Sequence, residues 1–582
     1  MVQPGILHKL EEISRTHMIK VLATNIISPI GETTEQNYQA VKSGSSALSV
    51  YDGWRNIPQV FTASLLSDEQ SKRLLIDGYT HFESIVIRSV AAALNDSDID
   101  VVSARTILIL STTKANVDEL AAEEGSDGNY HSPGRSARRI ADYFGFTTEP
   151  VVVCNACISG VTAQLLAMRL IDSGEYDNAV VCGADCQNPF VVAGFMSFKS
   201  LSPFECRPFD IERLGLNLGD GAATIIYGKS SGNDESWKLV SGSLNNDAYH
   251  VSAPSPQGDG AFRAAVRTLE GYDTESLATV SVHGTATMFN DQMESKAIEK
   301  AGLSDVPVSA LKGYYGHTLG AAGLIESIIT MRAIDDGCVL PVRGYSEIGV
   351  SGRINISNEE RATDRKSFVK LISGFGGCNG ALLFTKEAAA PDTSHIAKDI
   401  RTLHSVKITS SSLMIDGEQA DLKYEGKEML SEIYREYSGD YPKFHKMDIF
   451  SRVAFLASEL LIRKDDNADS ERAIVLFNRS SSIVSDRKHI ASYSKDGEFF
   501  PSPSVFLYTL PNIVTGEIAI KNGYKGETSL YILDEYNKEL MDRIVKCTFN
   551  GSGTKTMITG WVDCSSENEF EADLRLLTTN EL

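Results

Sequence analysis

The chain has 582 residues, with 77 acidic and 55 basic side chains and a formal net charge of −22. That balance argues against general nucleic-acid binding, which requires phosphate neutralisation, although a local basic patch remains compatible with it. The length exceeds one ordinary core, so two or three domains are predicted, and 42% hydrophobic with 23% charged residues is the composition of a soluble globular protein.

The first stretch, "MVQPGILHKLEEISRTH", carries both charge signs and lacks the apolar core of a secretion signal. Residues 1–17 therefore read as an N-terminal extension, and a cytoplasmic location is expected. No apolar run reaches the roughly 18 residues that a membrane-spanning helix needs. Nine cysteines in this length would stay reduced in that compartment.

From Met18 onward, short β-branched runs alternate with helical patterns, which predicts α/β layering. "IKVLATNII", "ARTILIL", "EPVVVC" and "DNAVVCGAD" read as strands. Between the last two, "ISGVTAQLLAMRLIDSG" has apolar positions at helical spacing and ends on Gly174, a C-terminal cap. A second series follows in "LATVSVHG", "VPVSALKG" and "SFVKLISGFGG", each with glycine just after the apolar run. The pattern breaks near residue 388 at "EAAAPDTSHIAKD", a linker signal, and then resumes. A shift of 378 residues places Pro133 on Pro511, Ile140 on Ile518, Glu149 on Glu527, Asp185 on Asp563 and Cys186 on Cys564. With Ala141 on Ala519 and Gly145 on Gly523, the seven identities over that span are close to chance, so the repeat is weak by itself.

The chemistry starts from "VVVCNACISG". A Cys-x-x-Cys pair fits a redox helix start, but zinc would need a second pair, and Cys182 with Cys186 has the wrong spacing. Cys154 ends the strand and reads as a small buried hydrophobe. Cys157 sits where strand turns into helix, so peptide N–H groups and the helix dipole are expected to stabilise its thiolate. Strand, sharp turn, nucleophile and helix form the elbow used in acyl transfer. "SVHGTATMFNDQ" adds His283, "SALKGYYGHTLGAAGLIES" adds Lys312 and His317, and "ISGFGGCNG" adds a glycine-flanked Phe375. Any one of these also fits a core histidine or a solvated lysine; their joint occurrence in this order does not.

With "RPFDIERLGLNLGDGAA" at 207–223, these motifs make residues 18–388 resemble a β-ketoacyl-acyl-carrier-protein synthase of the Cys-His-His type. The resemblance implies a thiolase-like layered α/β/α/β/α ketosynthase fold, in two halves of about 18–230 and 231–388. It implies Cys157 as acylated nucleophile, His283 and His317 as the decarboxylation pair, Lys312 as active-site lysine and Phe375 as gate. The N–H groups of Cys157 and Phe375 would form the oxyanion hole. Ile158, Thr285, Thr287 and Gly376 are expected to bind substrate. The sequence departs from the family pattern at Ile158, Asp220 and Cys378, which removes no catalytic group but leaves substrate preference open.

The same template extends to the C-terminal region. After a linker at 389–403, residues 404–582 resemble the N-terminal half of another ketosynthase, with Asp448 matched to Asp77. Glu535 occupies the Cys157 position, and no His-Gly-Thr segment follows. This truncated, catalytically silent α/β half-domain resembles chain-length factors of polyketide and aryl polyene systems.

The expected reaction is decarboxylative condensation of an acyl group on Cys157 with malonyl-acyl carrier protein, with the half-domain setting length in cis. A general fatty-acid elongation synthase with a structural C-terminal domain is the alternative, and a non-catalytic scaffold the third. No cofactor or metal is expected. The resemblance implies acyl carrier protein as a partner and a dimer or pseudo-dimer through ketosynthase-like faces. Lys72, Arg73, Arg135, Arg138 and Arg139 are the candidate docking residues for the acidic carrier.

Overall fold

The computed structural model describes residues 18–122, 131–230, 235–387, 399–465, 469–493 and 499–579. The expected N-terminal extension and linker residues 389–398 lie outside them.

The described chain builds one five-stranded pattern three times. The first unit contains β1 (Ile19–Ile27), β2 (Thr106–Ser111), β3 (Val151–Val153), β4 (Asn178–Asp185) and β5 (Gly221–Lys229). They lie in the order β1-β5-β4-β2-β3, with β4, β2 and β3 parallel and the other two neighbour pairs antiparallel. The second unit contains β6 (Lys238–Asn246), β7 (Leu277–Ser281), β8 (Pro307–Ser309), β9 (Ser367–Gly374) and β10 (Cys378–Thr385). Its order, β6-β10-β9-β7-β8, is the same arrangement. The third unit repeats it again, as β11-β15-β14-β12-β13, from β11 (Ile400–Thr409), β12 (Ala473–Asn478), β13 (Thr528–Ile532), β14 (Thr556–Ser566) and β15 (Glu569–Thr579).

Parallel neighbours require crossovers, and the helices supply them. In the first unit α1 (His81–Asn95) precedes β2, α2 (Pro133–Phe144) follows it, α3 (Ser159–Asp172) follows β3 and α4 (Pro189–Ser197) follows β4. The second unit places α5 (Ala322–Asp335) where the first has α3. The third has α6 (Ile449–Ile462), α7 (Ile513–Asn522) and α8 (Lys538–Gly551) in the places of α1, α2 and α3. The weak sequence repeat thus has a structural counterpart. Asp185, at the end of β4, accepts from the Thr113 N–H at 3.0 Å in the loop after β2. Asp563, in β14, accepts from the Ser480 N–H at 2.8 Å in the loop after β12. Two details are corrected. Asp448 caps α6 by accepting from the Ser451 N–H, the part Thr80 plays for α1, so its counterpart is Thr80 and not Asp77. The linker was expected to reach 403, but β11 begins at Ile400, where the alternating pattern is blurred by polar residues on a half-exposed strand.

Helices α3 and α5 are buried on nearly every face, because the first two units cover them from both sides. The third unit joins edge to edge. β3 pairs antiparallel with β13, and Val153 lies opposite Tyr531, its own counterpart at the shift of 378. The two five-stranded sheets therefore form one continuous sheet across a pseudo-twofold axis within a single chain. Among the described residues, no fourth unit covers α8. Its outer face carries exposed Lys538, Glu539 and Lys546, a pattern that makes α8 amphipathic where α3 is buried along most of its length.

The junction is held by buried charge as well as strand pairing. Arg169 on α3 donates two hydrogen bonds to Glu527, at 2.9 and 2.7 Å, with both side chains buried. Lys114 donates to Asp486 and to the Thr509 carbonyl, each at 2.6 Å. Arg169→Met leaves the Glu527 carboxylate buried without a counter-charge, so a loss of about 3–5 kcal/mol is expected in denaturant unfolding. A change below about 1 kcal/mol would show that this pair does not hold the junction. Among the described residues, no helix is long and apolar enough to cross a membrane.

Candidate active site

The turn after β3 presents the cysteine. Ala156 takes φ +49°, a left-handed conformation that a side chain makes costly, and Cys157 follows in the short turn leading into α3. Gly374 allows the loop between β9 and β10 to close on it, since a Cβ there would lie 3.2 Å from the Cys157 nitrogen. The backbone N–H groups of Cys157 and Phe375 face the sulfur. Cys154 points elsewhere: it sits in the apolar core, and its thiol donates to the Thr113 carbonyl at 3.4 Å.

Burial pushes the Cys157 thiol up to about 12, against the pull of the Lys312 charge and the two N–H groups. This corrects the expected thiolate. The helix start and the cation act in the predicted direction, but desolvation outweighs them. The resting group is a thiol, and its proton needs an acceptor.

Two histidines stand beside it. The reactive atoms of Cys157, His283 and His317 all lie within 4.8 Å of one another, and the imidazoles meet edge to face at 5.1 Å. His283 follows β7; its N–H and that of Gly284 donate to Glu294 at 2.6 and 2.9 Å. His317 Nδ1 accepts from the Leu319 N–H at 3.2 Å, which places the ring proton on Nε2. That Nε2 is buried with no hydrogen-bond partner among the described residues. Burial, followed by the charge of Lys312, holds both imidazoles well below their usual range, so both are neutral near pH 7. The three ligand-type atoms could accept a soft divalent cation only after loss of the thiol proton, which the same burial opposes.

Lys312 does not reach the reacting atoms. Its Nζ donates to the His283 carbonyl at 2.7 Å and to Glu326 at 2.6 Å, and Lys370 lies 2.5 Å from the other Glu326 oxygen. The lysine holds the His283 backbone as a positioning residue, while its charge also acts on the His317 imidazole. Glu326, Lys370 and Glu294 were missed. A glutamate inside the apolar helix "GLIES" and a lysine inside the apolar strand "SFVKLIS" were the available signals.

Cys157, His283, His317, Thr285, Thr287 and Phe375 line one cavity of about 310 Å³. Ile158 lines neither this cavity nor the smaller one behind the cysteine; it lies in the apolar core. Gly376 also lines neither, since its backbone is taken by Val251, Asn246 and the third unit. Asp220 accepts from the Leu66 and Gln187 N–H groups and ties two loops together. The arginines proposed for docking are each engaged by a carboxylate: Arg73 by Glu32, Arg135 by Asp534, Arg138 by Glu149 and Arg139 by Glu83. Arg135 in fact faces the third unit, and Lys72 is exposed. The expected basic face is therefore largely neutralised.

Behind the cysteine a second space of about 10 Å³ is bounded by Val191, Phe195, Leu319 and Phe375, and by Phe506 and Leu510 of the third unit. A side chain on Gly194 would collide with the Phe506 ring, so that glycine is what admits it.

A doubled five-stranded unit enclosing two helices, with a cysteine and two histidines meeting at their ends, defines the thiolase-like class of enzyme. Residues 17–230 match the N-terminal domain of beta-ketoacyl synthases and residues 238–346 their C-terminal domain. The chain belongs to the β-ketoacyl synthase family. It is 27% identical over 412 residues to 3-oxoacyl-[acyl-carrier-protein] synthase 2 of Vibrio cholerae, covering 63% of this chain and 99% of that protein. The corresponding enzyme of Vibrio harveyi is 26% identical over 415 residues, covering 64% and 99%. Among solved structures, the PfaC keto synthase–chain length factor aligns with a TM-score of 0.77 at 14% identity, over 97% of this chain and 78% of that one. The ishigamide ketosynthase/chain length factor aligns at 0.59 with 23% identity, over 64% and 99%. The likeness to PfaC thus carries the fold through the third unit.

Proposed function

We propose that the chain condenses an acyl group, held on Cys157, with malonyl-acyl carrier protein to give 3-oxoacyl-acyl carrier protein and CO₂. The observation that carries this reading is the convergence of Cys157, His283 and His317 in one cavity. The names of the Vibrio relatives support the carrier protein as the partner.

The Cys157 sulfur attacks the acyl thioester while a neutral imidazole takes the thiol proton. The carrier thiol leaves with a proton, and the acyl group stays on Cys157. A malonyl thioester then enters and loses CO₂, and negative charge develops on its thioester oxygen. The Nε2–H of His317 is a free donor for that oxygen, and His283 stands beside it. The resulting carbanion attacks the acyl-cysteine carbonyl, whose oxygen is held by the Cys157 and Phe375 N–H groups. Collapse expels the Cys157 sulfur and leaves a new carbon–carbon bond on the carrier.

In the third unit exposed Glu535, and no cysteine, stands at the counterpart of Cys157. Its contribution is shape: Phe506 and Leu510 border the space into which an acyl chain on Cys157 would extend. This supports a chain-length-factor-like role in cis. Phe506→Ala should shift products toward longer chains in mass spectra of the carrier-bound acyl groups. An unchanged distribution would reduce the third unit to support. Incubation with acyl-carrier protein tests the whole reading: the protein should gain one acyl mass on Cys157, and a scaffold would gain none.

A further inference from the structure

Asn512 immediately precedes α7, where an asparagine ordinarily turns its Oδ1 onto the first N–H groups of its own helix. It makes no such bond. Its Nδ2 instead crosses to the second unit and donates to the Phe375 carbonyl at 2.8 Å, passing 3.9 Å from the Cys378 sulfur. The side chain is 1% exposed, and its Oδ1 has no hydrogen-bond partner among the described residues. A helix cap forgone and a buried oxygen left unsatisfied are both unfavourable, so the bond to Phe375 is retained against local stability.

Both backbones are shaped for this contact. A Cβ on Gly516 of α7 would lie 2.5 Å from the Gly376 carbonyl oxygen, and a Cβ on Gly376 would lie 2.8 Å from Asn512 Nδ2. The loop is also held from its other side, since the Gly376 N–H donates to Val251 at 2.7 Å and the Asn246 amide to the Gly376 carbonyl at 2.8 Å. Across the pseudo-twofold axis the counterpart of Asn512 is Gly134, by the shift of 378. Gly134 packs against Leu533 and Asp534 and has no side-chain amide to donate. The clamp therefore acts only on the side that carries the cysteine.

We infer that Asn512 is a positioning residue for acyl transfer: it pins the Phe375 backbone so that the N–H of this residue stays aimed at the Cys157 sulfur and the acyl oxygen formed there. This deepens the proposed function and rests on it. The third unit, on this account, completes the oxyanion site as well as bounding the channel.

The test compares Asn512→Ala and Asn512→Asp with the parent, using the full chain with acyl- and malonyl-carrier protein. The aspartate keeps the shape but, when ionised, has no donor. Glu527→Gln, which loosens the same junction away from the loop, serves as the structural control. Acylation of Cys157 should slow about tenfold to a hundredfold in both Asn512 variants, as displaced catalytic geometry does. Malonyl decarboxylation, which relies on His283 and His317, should stay within about threefold, and Glu527→Gln should lower the melting midpoint without slowing acylation. Acylation within about threefold of the parent in both Asn512 variants would overturn the inference. So would equal slowing of both half-reactions that Glu527→Gln reproduces. If the parent itself takes up no acyl group, the proposed function falls and this inference with it; a labelled parent with unaffected Asn512 variants removes this inference alone.

Discussion

Cys157→Ala will take up no acyl group from acyl-carrier protein and will form no 3-oxoacyl product. Removing the nucleophile of a cluster that acts as a unit costs on the order of a millionfold, which places condensation below detection. The site gives no substitute: Cys154 lies in the core with its thiol on the Thr113 carbonyl. Cys378 does line the cavity, but its sulfur is turned to the Phe375 carbonyl at 3.2 Å. Cys154→Ala should therefore lower stability while leaving acylation in place. Mass spectrometry of the intact chain and its peptides reads both variants. Acylation retained by Cys157→Ala and lost by Cys154→Ala would reverse the assignment.

The second large effect concerns the histidines. His283→Ala and His317→Ala should each slow malonyl decarboxylation about a hundred- to a thousandfold, equivalent to about 2.7–4 kcal/mol for one charge-stabilising donor. Acylation should suffer less in His317→Ala, where His283 remains to accept the thiol proton, than in His283→Ala, where the remaining His317 carries its proton on Nε2 and has its Nδ1 on the Leu319 N–H. The sign of the pH dependence follows from burial. Both imidazoles titrate well below 6.5, so they are neutral above that range, and decarboxylation should not change as pH rises from about 6 to 8. A step near pH 6.5, or rates within about threefold of the parent in both variants, would remove these side chains from the step.

Much of this architecture was legible from the β-branched runs, which fall on the strands of the first two units because those strands are buried on both faces. The reacting side chains were legible because each sits beside a sharp turn in a motif, next to Ala156, Gly284 or Gly316, all with positive φ. The third unit was harder. Seven identities carry little weight, yet Asp185 and Asp563 tie equivalent loops, so topology persists where sequence has drifted. What could not be read was contact between distant segments. Asn512 meets Phe375 across 137 positions, and Lys312 reaches the His283 carbonyl across 29. The ion pairs of the basic stretch were equally hidden: "GRSARR" looks like a free basic face until Glu83, Glu149 and Asp534 are brought beside it. The thiolate was misjudged because helix position is local, whereas desolvation depends on everything packed around the sulfur.

The most direct measurement is a reconstituted reaction with acyl- and malonyl-carrier protein in which CO₂ and 3-oxoacyl-carrier protein are both quantified. The account predicts one CO₂ for each condensed product, with the acyl group found on Cys157 before malonyl is added. CO₂ released without condensed product, or product formed by Cys157→Ala, would contradict it.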